Sequence, residues 1–323
     1  MRLDVEGWDP AYGASFDAGN TPGGPTSAKA VVDVERQPAD WRPLDPPPDA
    51  RPPATVLLVD GVRRIDAGLW VTGDDEVSHR GVAVSFAAGV VRCDLTRGVA
   101  QIGRTAIRRG LFTPSPSATG VVAGSVRYAP YQTKSDDPGK LNGAVQAQLR
   151  ALEVDVSAAE RDGTDDGDED DLLIVDGPLH HARRNLPRAI GYAKTHSVEY
   201  LPPTLFPVVN ELTAGQRTPV FRIESSWPLY SWYLRLPTSS RAPWAGIVRI
   251  ECSAELPAGD AVALADLSTV TLPRFASTSY KDPRAPQNLV PIAGLERRLR
   301  AMLGDARLLY RTLTLAAHLI RAS

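Results

Sequence analysis

Cysteine is nearly absent: among 323 residues only Cys93 and Cys252 occur, each within an apolar stretch. Two such residues exclude a disulfide scaffold and a cysteine zinc site, and both read as small buried hydrophobes. No charge of one sign dominates. Lys+Arg number 36 against 38 Asp+Glu, a net charge of −2, which excludes a polybasic tail and an acidic disordered chain but not a local basic groove. No run approaches the roughly 18 consecutive apolar residues of a membrane span. The first residues, MRLDVEGWDPAYG, have no apolar signal core, so we expect a soluble cytoplasmic protein. Several chemistries lack their parts: there is no P-loop, no GxSxG elbow, no HExxH and no GxGxxG after a strand. No repeat of solenoid period is present.

What is present is 43% hydrophobic residues, enough for a sizeable core, with 28 Pro and 26 Gly to punctuate it. Residues 1–54 are rich in Pro, Asp and Gly and read as an extension that wraps over a domain or frays, with a weak helix over 28–36. Residues 55–323 read as the main domain. ATVLLVDGVRR (54–64) reads as a buried strand ending in Asp60-Gly61, and two further strands over 68–72 and 81–94 complete a three-stranded meander. A basic region broken by Gly and Pro follows. Residues 141–161 carry Leu149, Leu152, Val156 and Ala159 at helical spacing, with Arg150 and Glu153 on the same helix. DGTDDGDEDD (162–171) reads as a solvated acidic loop, because an EF-hand would need a Glu at its twelfth position. DLLIVDGPL (171–179) is a second buried strand ending in Asp-Gly, and RAIGYAKTH (188–196) a strand ending near Lys194. The segments 218–236 and 244–252 read as an antiparallel pair that absorbs Trp227, Tyr230, Trp232 and Tyr233. One or two helices close the chain from about Asn288. The whole is a mixed α/β chain with a largely β core.

Asp60 and Asp176 are the residues with chemical promise. If their strands are neighbours, the two carboxylates converge, and converging carboxylates repel until a divalent cation held by hard oxygen ligands relieves them. Such a site activates water for phosphodiester cleavage. Glu153 is the candidate third carboxylate, and Lys194 the candidate cation for charge developing on phosphate. Each Asp-Gly, taken alone, also reads as an ordinary turn. His180 and His181 are candidate phosphate contacts rather than metal ligands.

The ordered set VLLVDGVRR, RALE, LLIVDGPL, AIGYAKTH and IVRIE resembles the motif series of the NurA nucleases from Ala54 to about Glu251. The resemblance implies an RNase H-like core related to the PIWI module, with a mixed β-sheet flanked by helices. It implies a Mn²⁺-dependent (or Mg²⁺-dependent) DNA nuclease with exonuclease or endonuclease activity. It also implies a homodimer docked on a hexameric HerA-type helicase-translocase, acting in DNA-end processing or phage defence. Carried over by motif, Asp60, Glu153 and Asp176 are the expected metal ligands, and Lys194 the catalytic cation. Arg249 and Glu251 form the Arg-x-Glu strand. Toward the C-terminus the chain departs from the family: in SYKDPRAPQNLVPIAGLERRL (279–299) Gly294 stands about where a family His is expected. There Asp282 is the candidate further carboxylate and Arg284 a phosphate contact. Arg63, Arg64, Arg183 and Arg184, after the two Asp-Gly pairs, are expected along the DNA backbone. The rival readings are a catalytically silent adaptor that binds a helicase ring and DNA, an enzyme acting on RNA or hybrid, and an actin-like ATPase, whose glycine-rich phosphate loops are missing.

Overall fold

The computed structural model describes residues 29–322 apart from 74–75, 163–169, 184–185, 197–198, 241, 243 and 283. The acidic loop thus lies almost wholly outside the described residues. In chain order the elements are β1 (Lys29–Val31), β2 (Thr55–Thr72), β3 (Ser78–Asp94), β4 (Val99–Thr113), β5 (Val121–Ala123) and β6 (Val126–Gln132), then α1 (Pro138–Asp162). There follow β7 (Asp171–Asp176), β8 (Ala189–Ala193), α2 (Phe206–Glu211), β9 (Phe221–Glu224), β10 (Leu229–Arg235), β11 (Ile247–Ser253), α3 (Ala258–Thr271), α4 (Val290–Met302) and α5 (Ala306–Ala322). Among the described residues no helix is long and apolar enough to cross a membrane.

The fold is mixed α/β, and its contacts divide it into two compact units. One contains Met1–Leu58, Arg92–Gln101 and Asp168–Ala293. Its strands run in the order β1, β9, β10, β11, β8, β7, followed by the first residues of β2. The β7–β8 pair is parallel, and β8–β11, β11–β10, β10–β9 and β9–β1 are antiparallel. Alternation along β10 sends consecutive aromatics to opposite faces. Tyr233 joins a core with Trp41, Leu205, Val209 and Phe221, while the Trp232 indole N–H donates to Ser268 of α3 at 3.0 Å. Tyr230, Trp232 and Tyr233 are therefore core, while Trp227, ahead of β10, is half-buried. Residues 29–31 form strand β1 rather than a helix, because their backbone pairs with β9 and the β-branched Val31 suits a strand. The Pro-rich stretch behind β1 wraps over this unit: Trp41 is buried in its core, and Glu35 forms a bidentate ion pair with Arg217. Cys93 and Cys252 are buried and free, and burial pushes the Cys93 thiol up to about 11.

The other unit contains Val59–Val91, Ile102–Gly167 and Gly294–Ser323. Its strands run β2, β3, β4, β6, β5, with β4–β6 parallel and β5–β6 antiparallel. Helix α1 turns Leu141, Val145, Leu149, Leu152 and Val156 inward. Leu313 and Ala316 of α5 pack with Ala83, Leu111, Ala123 and Tyr128. Two expectations change here. Residues 55–72 are one 18-residue strand instead of two, so Asp60-Gly61 lies within β2 and is not a turn. The basic region is not broken either: residues 99–113 form β4. At Gly61, Gly103 and Gly110 the missing side chain marks where another group comes close instead of where the chain turns.

Candidate active site

Asp176 closes β7, and Gly177 follows it with φ +110°, a left-handed conformation that favours glycine. This Asp-Gly is a true strand end. The Lys194 ammonium, just past β8, donates to Asp176 Oδ2 at 2.6 Å and to Asn288 Oδ1 at 2.9 Å. The Lys194 and Asp176 side chains are only 11% and 12% exposed, so the pair is poorly screened by water. Asn288 is fully buried, and its amide N–H donates to Asp282 Oδ2 at 2.6 Å. Asp282 Oδ1 accepts the Arg284 backbone N–H at 2.8 Å. Asp282, expected as a further carboxylate of the site, therefore has both oxygens engaged and reaches Lys194 only through Asn288. Asn288 escaped the sequence reading, because an Asn between Pro-rich turns carries no motif. Between these groups lies Tyr192, whose hydroxyl donates to Gln287 O at 2.7 Å. Burial, and then the Asp176 charge, push its phenol well above the ordinary value, which keeps that proton in place.

The Arg-x-Glu strand acquires a role from its position. Glu251 of β11 accepts the Leu179 backbone N–H at 3.0 Å and pairs with Arg249, which lies over the Tyr200 ring at 4.7 Å. The Asp-Gly-Pro-Leu loop that leaves Asp176 is thus tied down across β8. Gly191 of β8 makes room for it: a Cβ there would stand 2.5 Å from Leu179 N and 3.1 Å from Gly177 O. The Ile-Gly-x-x-Lys glycine is needed for this close approach.

In the second unit Asp60, 9% exposed, sits within β2. A Cβ on the next residue, Gly61, would lie 2.5 Å from Glu153 Oε1 and 2.7 Å from Leu149 Cδ1, so α1 brings Glu153 down onto the strand beside Asp60. An oxygen of Glu296, on α4, nevertheless lies within 4.8 Å of an Asp60 oxygen in a group suited to a metal ion, and Glu153 is not in that group. Leu295 and Leu299, flanking Glu296, pack over Gly89 of β3, which presses this helix onto the sheet. Glu296 was missed because its neighbourhood reads as an ordinary charged helix, GLERRLR. Paired oxygens of this kind are the hard donors that Mn²⁺ and Mg²⁺ take.

The arginines part ways. Arg64, expected along the DNA backbone, is engaged within its own unit. Its Nε donates to Asp66 at 2.9 Å, and its other nitrogens donate to Gly304 O at 2.7 Å and Leu303 O at 3.2 Å, capping the end of α4. Arg183 is only 1% exposed, so it too is withdrawn from a surface role. Arg63 is half-buried and Arg284 lies 3.7 Å from Asp282 Oδ1, while Arg184 falls outside the described residues.

No curated protein matches the chain. Among solved structures it is similar to endonuclease V from Bacillus subtilis, at 15% identity over 77% of this chain and 81% of that one, with a TM-score of 0.36. It is also similar to the catalytic domain of human endonuclease V, at 19% identity over 81% and 92%, with a TM-score of 0.32. Both likenesses are loose. The family model of the NurA domain matches residues 75–293, more than half of the chain. That stretch includes Glu153, Asp176, Lys194, Asp282 and Asn288, while Asp60 and Glu296 flank it. On this match the chain belongs to the NurA family of nucleases.

Proposed function

We propose that the chain is a metal-dependent DNA nuclease with an RNase H-like core, working as a homodimer with a hexameric HerA-type translocase on cytoplasmic DNA ends, in repair or phage defence. The observation that carries the reading is the carboxylate pair Asp60–Glu296, with oxygens within 4.8 Å of each other. Two such charges, held on a strand and a packed helix, repel in the absence of a cation. The donor set fits Mn²⁺ or Mg²⁺, and the proposed ligands are Asp60 and Glu296, with Glu153 near Asp60 on α1; Asp176, a ligand by the family resemblance, belongs to the other unit. A divalent cation supplies Lewis acidity and a more acidic water for hydrolysis of the phosphodiester.

The chain's own residues do the rest. Lys194 has three N–H donors and directs two of them to Asp176 and Asn288. The third is available to a non-bridging phosphate oxygen, where it stabilises charge as the bond breaks. Arg63, Arg184 and Arg284 remain the proposed backbone contacts.

The test is cleavage of linear duplex DNA with Mn²⁺, comparing wild type with Asp60→Ala, Glu296→Ala and Asp176→Ala, with and without the translocase. Cleavage that needs the metal and falls to background in all three variants supports the reading. Cleavage that is retained in the variants, or equal in EDTA, overturns it. Translocase binding without any cleavage by wild type favours the silent adaptor, and RNA and hybrid substrates in parallel decide the nucleic acid.

A further inference from the structure

Asn288 is 0% exposed and lies 94 residues along the chain from Lys194, whose ammonium its Oδ1 accepts at 2.9 Å. Its Nδ2 donates to Asp282 Oδ2 at 2.6 Å, and the other Asp282 oxygen is occupied by the Arg284 N–H. An amide has one accepting and one donating end, whereas a carboxylate only accepts. Asp282 therefore decides which end of Asn288 faces Lys194. Turned over, the amide would set its NH₂ against the ammonium and its carbonyl against the carboxylate, and both contacts repel. We propose that Asn288, oriented by Asp282, is a positioning residue that holds the Lys194 ammonium on Asp176 with its third N–H toward the scissile phosphate. The inference rests on the nuclease reading for the last step alone. Neither Asn288 nor Asp282 needs to touch substrate: Asn288 acts through Lys194, and Asp282 acts through Asn288.

A reciprocal exchange tests it. In Asp282→Asn the new amide keeps its oxygen for the Arg284 N–H and meets the Asn288 amide donor to donor, so Asn288 turns over and Lys194 loses its acceptor. In Asn288→Asp two carboxylates face each other at hydrogen-bond distance. In the double variant Asp282→Asn/Asn288→Asp, every hydrogen bond again has one donor and one acceptor, and the total charge of the pair is unchanged. We expect each single variant to lower kcat by about 10- to 100-fold with little change in KM, as misplaced catalytic groups do. The double variant should recover most of the loss. In a Lys194→Met background Asp282→Asn should cost nothing further, since a residue acting through Lys194 has nothing left to position. Thermal unfolding of each variant reports folding, and if Asn288→Asp fails to fold, Asp282→Asn and the double variant carry the comparison. A folded double variant no better than Asp282→Asn, or an additive loss on Lys194→Met, overturns the proposal. If wild type cleaves nothing, the nuclease reading fails by itself. The positioning is then read from the rate of lysine acylation at Lys194 by mass spectrometry. Faster labelling in Asp282→Asn that the double variant reverses upholds it, and unchanged labelling refutes it.

Discussion

The backbone N–H of Leu179 donates to Glu251 Oε2 at 3.0 Å, so the loop leaving Asp176 is anchored to β11 by a buried carboxylate. The same carboxylate holds Arg249: burial pushes that guanidinium down, but the Glu251 charge keeps it above its usual range. Glu251→Ala removes both partners at once and leaves a buried cation unpaired. We expect a loss of about 3–5 kcal/mol in urea unfolding, the usual cost of breaking a buried pair. Gly191→Ala, whose Cβ would meet Leu179 N at 2.5 Å, should cost about 1–3 kcal/mol and depress cleavage by displacing the loop. Unfolding midpoints equal to wild type for both would refute the anchor.

Arg64 and Arg63 are adjacent, yet they should answer differently to substitution. Arg64→Met strips the donors from Leu303 O, Gly304 O and the buried Asp66, and should lower stability by about 1–3 kcal/mol. The salt dependence of DNA affinity should not change in this variant. Arg63→Ala should leave stability near wild type and reduce the slope of log affinity against log salt by about 1, one phosphate contact. Affinity titrations at several salt concentrations, with thermal melts beside them, separate the two.

His196 makes the fold acid-sensitive. The ring is buried against Tyr233 and Trp244, its Nε2 donates to Ile247 O at 3.1 Å, and burial holds its pKa down to about 4, with the Arg249 charge acting in the same direction. The unfolded chain therefore binds a proton that the folded chain refuses. Stability from this group is complete above about pH 6.5 and is lost as pH falls from there to about 4, a change of about 3 kcal/mol. Unfolding measured across that window should show the slope in wild type and a shallower one in His196→Phe.

Arg217 joins the Pro-rich segment to the sheet. Its side chain is 3% exposed and pairs with Glu35 at 2.8 Å and Asp266 at 2.6 Å, and Glu35 also accepts the Val220 N–H at 2.8 Å. Arg217→Met leaves two carboxylates without their cation. We expect about 3–5 kcal/mol of destabilisation and faster proteolysis between residues 29 and 54. Unaltered cleavage rates in that segment would mean that Trp41 and β1 suffice to hold it.

Much of the fold was legible because it depends on short-range pattern. Continuous apolar runs marked β7, β8 and the start of β2, and the 3.6-residue spacing marked α1. Asp176 and Lys194 read as strand-end residues, and the structure pairs them at 2.6 Å. Legibility failed at glycine. Gly61 and the glycines of β4 read as breaks, yet they lie inside strands, and at Gly61 the missing side chain admits Leu149 and Glu153 from α1. A glycine at a turn and a glycine under a helix look alike until the helix is placed.

By itself, the sequence determined which segments could be strands or helices and which side chains had the chemistry for a metal-dependent hydrolase, since residue type and periodicity are local properties. The tertiary structure decided which of those groups meet. Glu296 lies within reach of Asp60, Asn288 accepts from Lys194, Arg64 caps a helix, and Arg183 is buried. None of these follows from spacing along the chain. Each depends on packing between elements distant in sequence, and the energy of a charge or an amide is set by the partners and the burial it meets there.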